Sequence, residues 1–158
     1  MNVKNAEIAE AVLKLSGKTA WGVRLGHGSF LTLEFGKPVV AQQGQSHGEW
    51  HLWLYMCNWR LETNQGVLAG SNDDRETIER ALQETPFGAV EVIRAISRSS
   101  DLFIRFQSGV DLLSFSSSSS PDEEQWKLFT PQGKCLLVYG DGSGKYVESS
   151  EPTPQRRS

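Results

Sequence analysis

Most apolar runs along this chain repeat with period two, and the longest is residues 49–62, Glu-Trp-His-Leu-Trp-Leu-Tyr-Met-Cys-Asn-Trp-Arg-Leu-Glu. Read at that period, one face carries Trp50, Leu52, Leu54 and Met56, then turns polar at Asn58, Arg60 and Glu62. The other carries His51, Trp53, Tyr55, Cys57 and Trp59. A strand that is apolar or amphipathic on both faces suits a central position covered from both sides. A buried helix is the rival reading; Gly48 in front and the density of aromatics favour the strand.

Two stretches have helical spacing instead. In residues 5–16, Ile8, Ala11, Val12 and Leu15 fall on one stripe, with Gly17 as the stop. A second helix opens within residues 71–74, where Asp73 with Glu76 forms a capping box and Ser71 with Asp74 an alternative one. It runs to about Glu84, buries Ile78, Ala81 and Leu82, and ends at Thr85-Pro86.

Residues 20–25 and 29–35 read as strands about Gly26-His27-Gly28, a loop that pairs Trp21 with Leu33 and Val23 with Leu31. Gly36-Lys37-Pro38 ends that hairpin. Further strands follow at 90–96, at 102–107 with 110–115, and at 126–130 with 135–139. The middle hairpin puts Leu102, Ile104 and Phe106 on one face with Leu113 and Phe115, and leaves Asp111 as a misfit opposite Phe106. The serine run 116–120 has no means of packing. Tight turns rather than crossover helices join the strands. The expectation is one α+β domain over residues 1–140, with a mainly antiparallel β-sheet of seven to eight strands and two short helices. Residues 141–158 read as a disordered C-terminal tail.

Composition narrows the function classes. A chain of 158 residues suits one domain with a real core. Its 16 basic and 19 acidic residues give a net charge of −3, and Arg156-Arg157 is the nearest thing to a basic run, so nucleic acid is not an expected partner. No apolar segment approaches the roughly 20 residues of a membrane helix, and none resembles a leader. Cys57 and Cys135 sit in apolar surroundings without a spaced framework, which suits a reducing cytoplasm.

No catalytic constellation emerges. His47 and His51 have zinc spacing on a helix, but on a strand they stand about 13 Å apart. Cys57 and His51 are about 20 Å apart along a strand, too far for a dyad. Whether His27, Cys57 and Cys135 meet is left to the fold. Glu49 and Glu62 flank opposite ends of the long strand, and Glu34 points outward. Asp73, Asp74, Glu76 and Glu79 belong to the helix start. Residues 140–145 depart from a phosphate loop at Tyr139 and Tyr146, and Lys145 spoils a calcium loop begun by Asp141 and Ser143. Neither a metal nor a cofactor is expected.

The remaining feature is the aromatic face of residues 49–62. It reads as a core layer beneath a helix, or as a recognition surface that two short helices cannot cover. In the second reading Glu49, His51, Trp53, Tyr55, Trp59 and Arg60 are the binding residues.

The segments Gly-Ser-Phe-Leu-Thr-Leu-Glu-Phe-Gly (28–36) and Gly-Glu-Trp-His-Leu-Trp-Leu-Tyr-Met-Cys-Asn-Trp-Arg-Leu-Glu (48–62) resemble a family of small bacterial proteins of uncharacterised function. Trp-Lys-Leu-Phe-Thr-Pro-Gln-Gly-Lys (126–134) is similar to their closing hairpin, so the resemblance spans roughly residues 18–140. It implies no site residues. Some such families resemble compact immunity-like proteins, which neutralise a toxin by binding it. The expectation is thus a non-enzymatic protein acting through a protein partner. The alternative is a small-molecule binder or enzyme with a groove over the aromatic face. A third reading is a sheet edge that oligomerises.

Overall fold

The computed structural model describes residues 2–40, 44 and 46–149. In chain order the described strands are β1 (Asn2–Val3), β2 (Thr19–Leu25), β3 (Leu31–Val40), β4 (Ser46–Leu54), β5 (Cys57–Thr63), β6 (Gly66–Gly70), β7 (Gly88–Ile96), β8 (Asp101–Phe106), β9 (Asp111–Ser116), β10 (Glu124–Phe129), β11 (Lys134–Tyr139) and β12 (Gly144–Glu148). Helix α1 (Asn5–Val12) runs on into a 3₁₀ turn at Leu13–Leu15, and α2 is Arg75–Glu84. The strands form one continuous sheet in the order β1-β12-β11-β10-β4-β3-β2-β7-β8-β9-β5-β6. Every pairing described is antiparallel. The α+β class and the two short helices are as expected.

Twelve strands replace the seven to eight expected. The short strands β1, β6 and β12 lack the alternation that marks a half-buried strand. The other addition comes from residues 49–62, which are two strands rather than one. Trp50, Leu52 and Leu54 face the core in β4, and Cys57, Trp59 and Leu61 face it in β5. The inward parity therefore flips across Tyr55 and Met56, where the chain leaves β10 and β3 and arrives between β9 and β6.

The sheet folds over on itself. Its two halves, β1-β12-β11-β10-β4-β3-β2 and β7-β8-β9-β5-β6, meet where β2 pairs with β7, at Thr19↔Ala89 and Ala20↔Gly88. Their inner faces share one core, in which Trp59, Trp126, Phe35 and Phe106 are among the largest fully buried side chains. Buried indole N–H groups need partners. Trp59 Nε1 donates to Ser29 O at 2.8 Å, and Trp126 Nε1 to Ser100 O at 3.0 Å.

The turn between β7 and β8 acts as a bolt between the layers. Ser97 and Ser100 hold φ of 65° and 57°, a region that L-residues other than Asn and Asp rarely enter. Its carbonyls are gripped by α1 and β10: Asn5 Nδ2 donates to Arg98 O, Gln125 Nε2 to Ser99 O, and Trp126 Nε1 to Ser100 O. Gly142 lies so close that a Cβ there would fall 1.9 Å from Arg98 O.

Each helix closes one side of the shared core. Ile8, Val12 and Leu15 are buried as the stripe predicts, and α1 packs on β7. Helix α2 spans β2 and β6 on Ile78 and Leu82, and Arg75 Nη1 ties its start to Gly26 O at 2.8 Å. Its N-cap is Asp74 rather than Asp73. The Thr77 N–H, donating at 2.8 Å, holds the Asp74 carboxyl below its ordinary pKa. Asp73 instead accepts from Gly70 N.

Registers also differ from expectation. In β2–β3 the pairs are Trp21↔Glu34 and Leu25↔Leu31, because a bulge at Gly22-Val23 shifts the strand and the loop is five residues long. Gly36-Lys37 is a bulge within β3, and Pro38 resumes the ladder opposite Gly48, so the segment does not end the strand. In β8–β9 Asp111 lies opposite Arg105, not Phe106, which removes the misfit by pairing opposite charges. The serine run packs through its hydroxyls: Ser116, Ser118 and Ser120 each accept from the backbone N–H two residues on.

The tail expected from residue 141 is ordered through β12, which pairs with β11 and β1, so the domain extends past the 140 boundary. Residues 150–158 of that expected tail lie outside the described residues. No helix among the described residues is long and apolar enough to cross a membrane.

Candidate functional site

The two outer faces of the folded sheet are the places where chemistry-bearing side chains gather away from the core. On the first half, register aligns Glu34, His51, Phe129 and Cys135 in one cross-strand row. Thr32, Trp53, Lys127 and Leu137 form the next. Glu34 anchors the first row: Oε1 accepts from Gly48 N at 2.6 Å, and Oε2 lies 2.6 Å from His51 Nδ1. That second contact is close but lacks hydrogen-bond alignment, and neither His51 nitrogen nor Trp53 Nε1 has an aligned partner among the described residues.

Rings enclose this polar pair. The His51 and Trp53 centroids are each 5.7 Å from that of Phe129. Lys127 Nζ sits 5.0 Å from the Trp53 centroid and 4.8 Å from that of Tyr55, and pairs with Glu124 Oε1 at 2.9 Å. Glu34, His51, Trp53 and Lys127 are all buried. Burial also pushes the Cys135 thiol up to about 12.

The second half presents a different outer face. Arg94, Phe103, Leu113 and Arg60 form one row across β7-β8-β9-β5. Val92, Arg105, Asp111, Glu62 and Val67 form another, reaching β6. None of these side chains is buried, and Phe115, beside them on β9, is 43% exposed. Charges here pair with one another in the open. Arg105 grips Asp111 through Nε at 2.8 Å and Nη2 at 2.9 Å, with its guanidinium 5.3 Å from the Phe103 centroid. Arg60 Nε donates to Glu62 Oε2 at 2.5 Å.

The six expected binding residues are divided between these places. Glu49, His51, Trp53 and Tyr55 lie on or beside the first outer face, with Glu49 paired to Lys18 at 3.4 Å. Trp59 is inside the core, and Arg60 is on the second outer face. The parity flip at Tyr55-Met56 is the cause. Phe103, Leu113, Phe115 and Arg105 were not expected at a surface site; the misfit of Asp111 was the available signal that the β8–β9 register needed a shift.

His27, Cys57 and Cys135 do not converge. His27 is exposed at the β2–β3 loop, Cys57 faces the shared core, and Cys135 lies on the first outer face. Burial pushes the Cys57 thiol to about 12, which leaves it without nucleophilic character near neutral pH. Among the described residues no group of three or more His, Cys, Asp or Glu could hold a metal ion. Of residues 140–145, the first four form the turn into β12 and Gly144 and Lys145 begin that strand; in the turn Asp141 Oδ1 accepts from both the N–H and the hydroxyl of Ser143. Compared with known proteins, the chain matches no family model, no curated protein and no solved structure.

Proposed function

We propose that the chain is a small bacterial cytoplasmic protein that acts without catalysis, by binding a protein partner in the immunity-like manner its sequence resembles. The binding surface in this reading is the outer face of β7-β8-β9-β5-β6. One observation supports it above others: an unburied five-stranded face that interleaves Phe103, Leu113 and Phe115 with Arg60, Arg94 and Arg105. Aromatic and arginine side chains together are the composition of protein recognition surfaces. Affinity capture from the native host tests it. A partner retained by the wild type and lost on Phe115→Arg is the expected result; repeatedly empty captures with folded bait overturn the reading.

A second reading, a small-molecule binder or enzyme acting over the first outer face, is favoured by the buried Glu34–His51 pair and the unpartnered His51 Nε2. Its test is a ligand-library thermal-shift screen. A specific hit lost on Lys127→Met, with the fold intact, would favour it over the first.

A further inference from the structure

The row that carries Trp53 and Lys127 does not end at β10. Register continues it through Leu137 to Lys145 and Asn2, at the margin of the sheet. There, beside Tyr139, a cavity of about 330 Å³ opens at the end of the first outer face. That volume is within the range of small-molecule sites. Asp122 and Lys145 line it, and Val3, Pro121 and Tyr139 supply apolar surface. Backbone contacts hold the Asp122 wall in place. Gly140 N donates to Glu123 O at 2.8 Å and Asp122 N to Ser120 Oγ at 3.1 Å, and a Cβ on Gly140 would fall 2.5 Å from Ser118 O. The two charges share one cavity, yet no ion pair joins them, and neither head has a partner among the described residues. Such a pair selects by charge. A phosphate meets Asp122 and a metal cation meets Lys145, whereas a molecule carrying both signs satisfies both. In a free α-amino acid the two charged groups sit on one carbon, which leaves the rest of the volume for its side chain.

We infer that this cavity binds a free α-amino acid, its ammonium on Asp122, its carboxylate on Lys145 and its side chain against Pro121 and the Tyr139 ring. This rests on the small-molecule reading of the first outer face, and names the ligand class. The full chain is titrated calorimetrically with the free amino acids one by one at millimolar concentration, with circular dichroism as the check on folding. At least one is expected to bind one-to-one. Asp122→Asn and Lys145→Met are each expected to weaken it about tenfold with an unchanged spectrum, because each removes one charged contact.

Blocked probes make the test specific. The methyl ester of the same amino acid keeps only the ammonium, so its binding should fall on Asp122→Asn and ignore Lys145→Met. The N-acetyl derivative keeps only the carboxylate and should show the reverse. A folded wild type that binds no free amino acid overturns the inference, as does binding that neither variant weakens. If no amino acid binds but a library hit is lost on Lys127→Met with the fold intact, the small-molecule reading stands and only this ligand class is excluded. If neither the titration nor the library gives a hit, both readings fall.

Discussion

Ionisable side chains occupy both outer faces of this sheet, yet their surroundings are opposite. On the first, Glu34 is 4% exposed, His51 2% and Lys127 8%, and aromatic rings pack against His51 and Lys127. On the second, Arg60, Glu62, Arg105 and Asp111 pair beside solvent. The same kind of contact therefore has different consequences. A buried polar pair is costly to assemble and costlier to break, because removing one partner strands the other in a medium that cannot solvate it. An open pair is screened by water and salt, so its loss barely changes folding while its position still matters to an approaching surface. Stability concentrates on one face and availability on the other.

The comparison breaks most visibly at Glu34 and His51. In His51→Leu the Glu34 side chain keeps the Gly48 N–H and loses the polar imidazole beside it, and the expected loss is up to about 3 kcal/mol. Urea unfolding measures it, and Glu34→Leu with His51→Leu should recover much of the loss by removing the stranded polar group. A single-variant loss below about 1 kcal/mol would mean that the first face is as open as the second.

Gly48→Ala should follow at about 3 kcal/mol. A Cβ there would stand 2.6 Å from Phe35 O and 2.7 Å from Phe35 N and Trp50 O, backbone atoms that cannot rotate away. A change in midpoint with unchanged denaturant dependence would place the cost in the folded state.

The thiols give a pH signature. Cys57 and Cys135 are both raised from 9.0 to about 12, so between those values the unfolded chain has released thiol protons that the folded chain retains. Raising the pH through that window therefore favours unfolding, by about 1.4 kcal/mol per pH unit for each thiol once well above the lower value. Cys135→Ala should remove one thiol's share. If native Cys135 reacts with a thiol reagent at pH 8 as fast as it does in urea, the first face is not closed.

These contrasts explain what could be read from the chain and what could not. The antiparallel α+β class followed from the tight turns, and the stripe of Ile8, Val12 and Leu15 from helical spacing. The division of residues 49–62 was hidden because both parities are apolar there, so a slip across Tyr55-Met56 leaves the pattern looking continuous. Glu34 was expected to point outward, which it does, but its pairing with His51 depends on a hairpin register that includes a bulge. Arg60 was legible as a surface cation. Phe115 and Leu113 were assigned inward because Asp111 was set against Phe106 rather than Arg105.

The smallest expected effect is also the closest control, because it makes one substitution on both faces. Phe129 is 9% exposed and touches the His51 and Trp53 rings, so Phe129→Ala removes a buried aromatic and should cost about 3–5 kcal/mol. Phe115 stands opposite Asn58 with 43% of its surface in water, so Phe115→Ala should stay within about 0.5 kcal/mol in the isolated chain. Strand propensity pulls slightly against alanine, which sets the sign of that small change as destabilising. Measured at low concentration the two variants should differ by several-fold in their effect on unfolding. Equal effects of the two variants would show that the second outer face is no more open than the first.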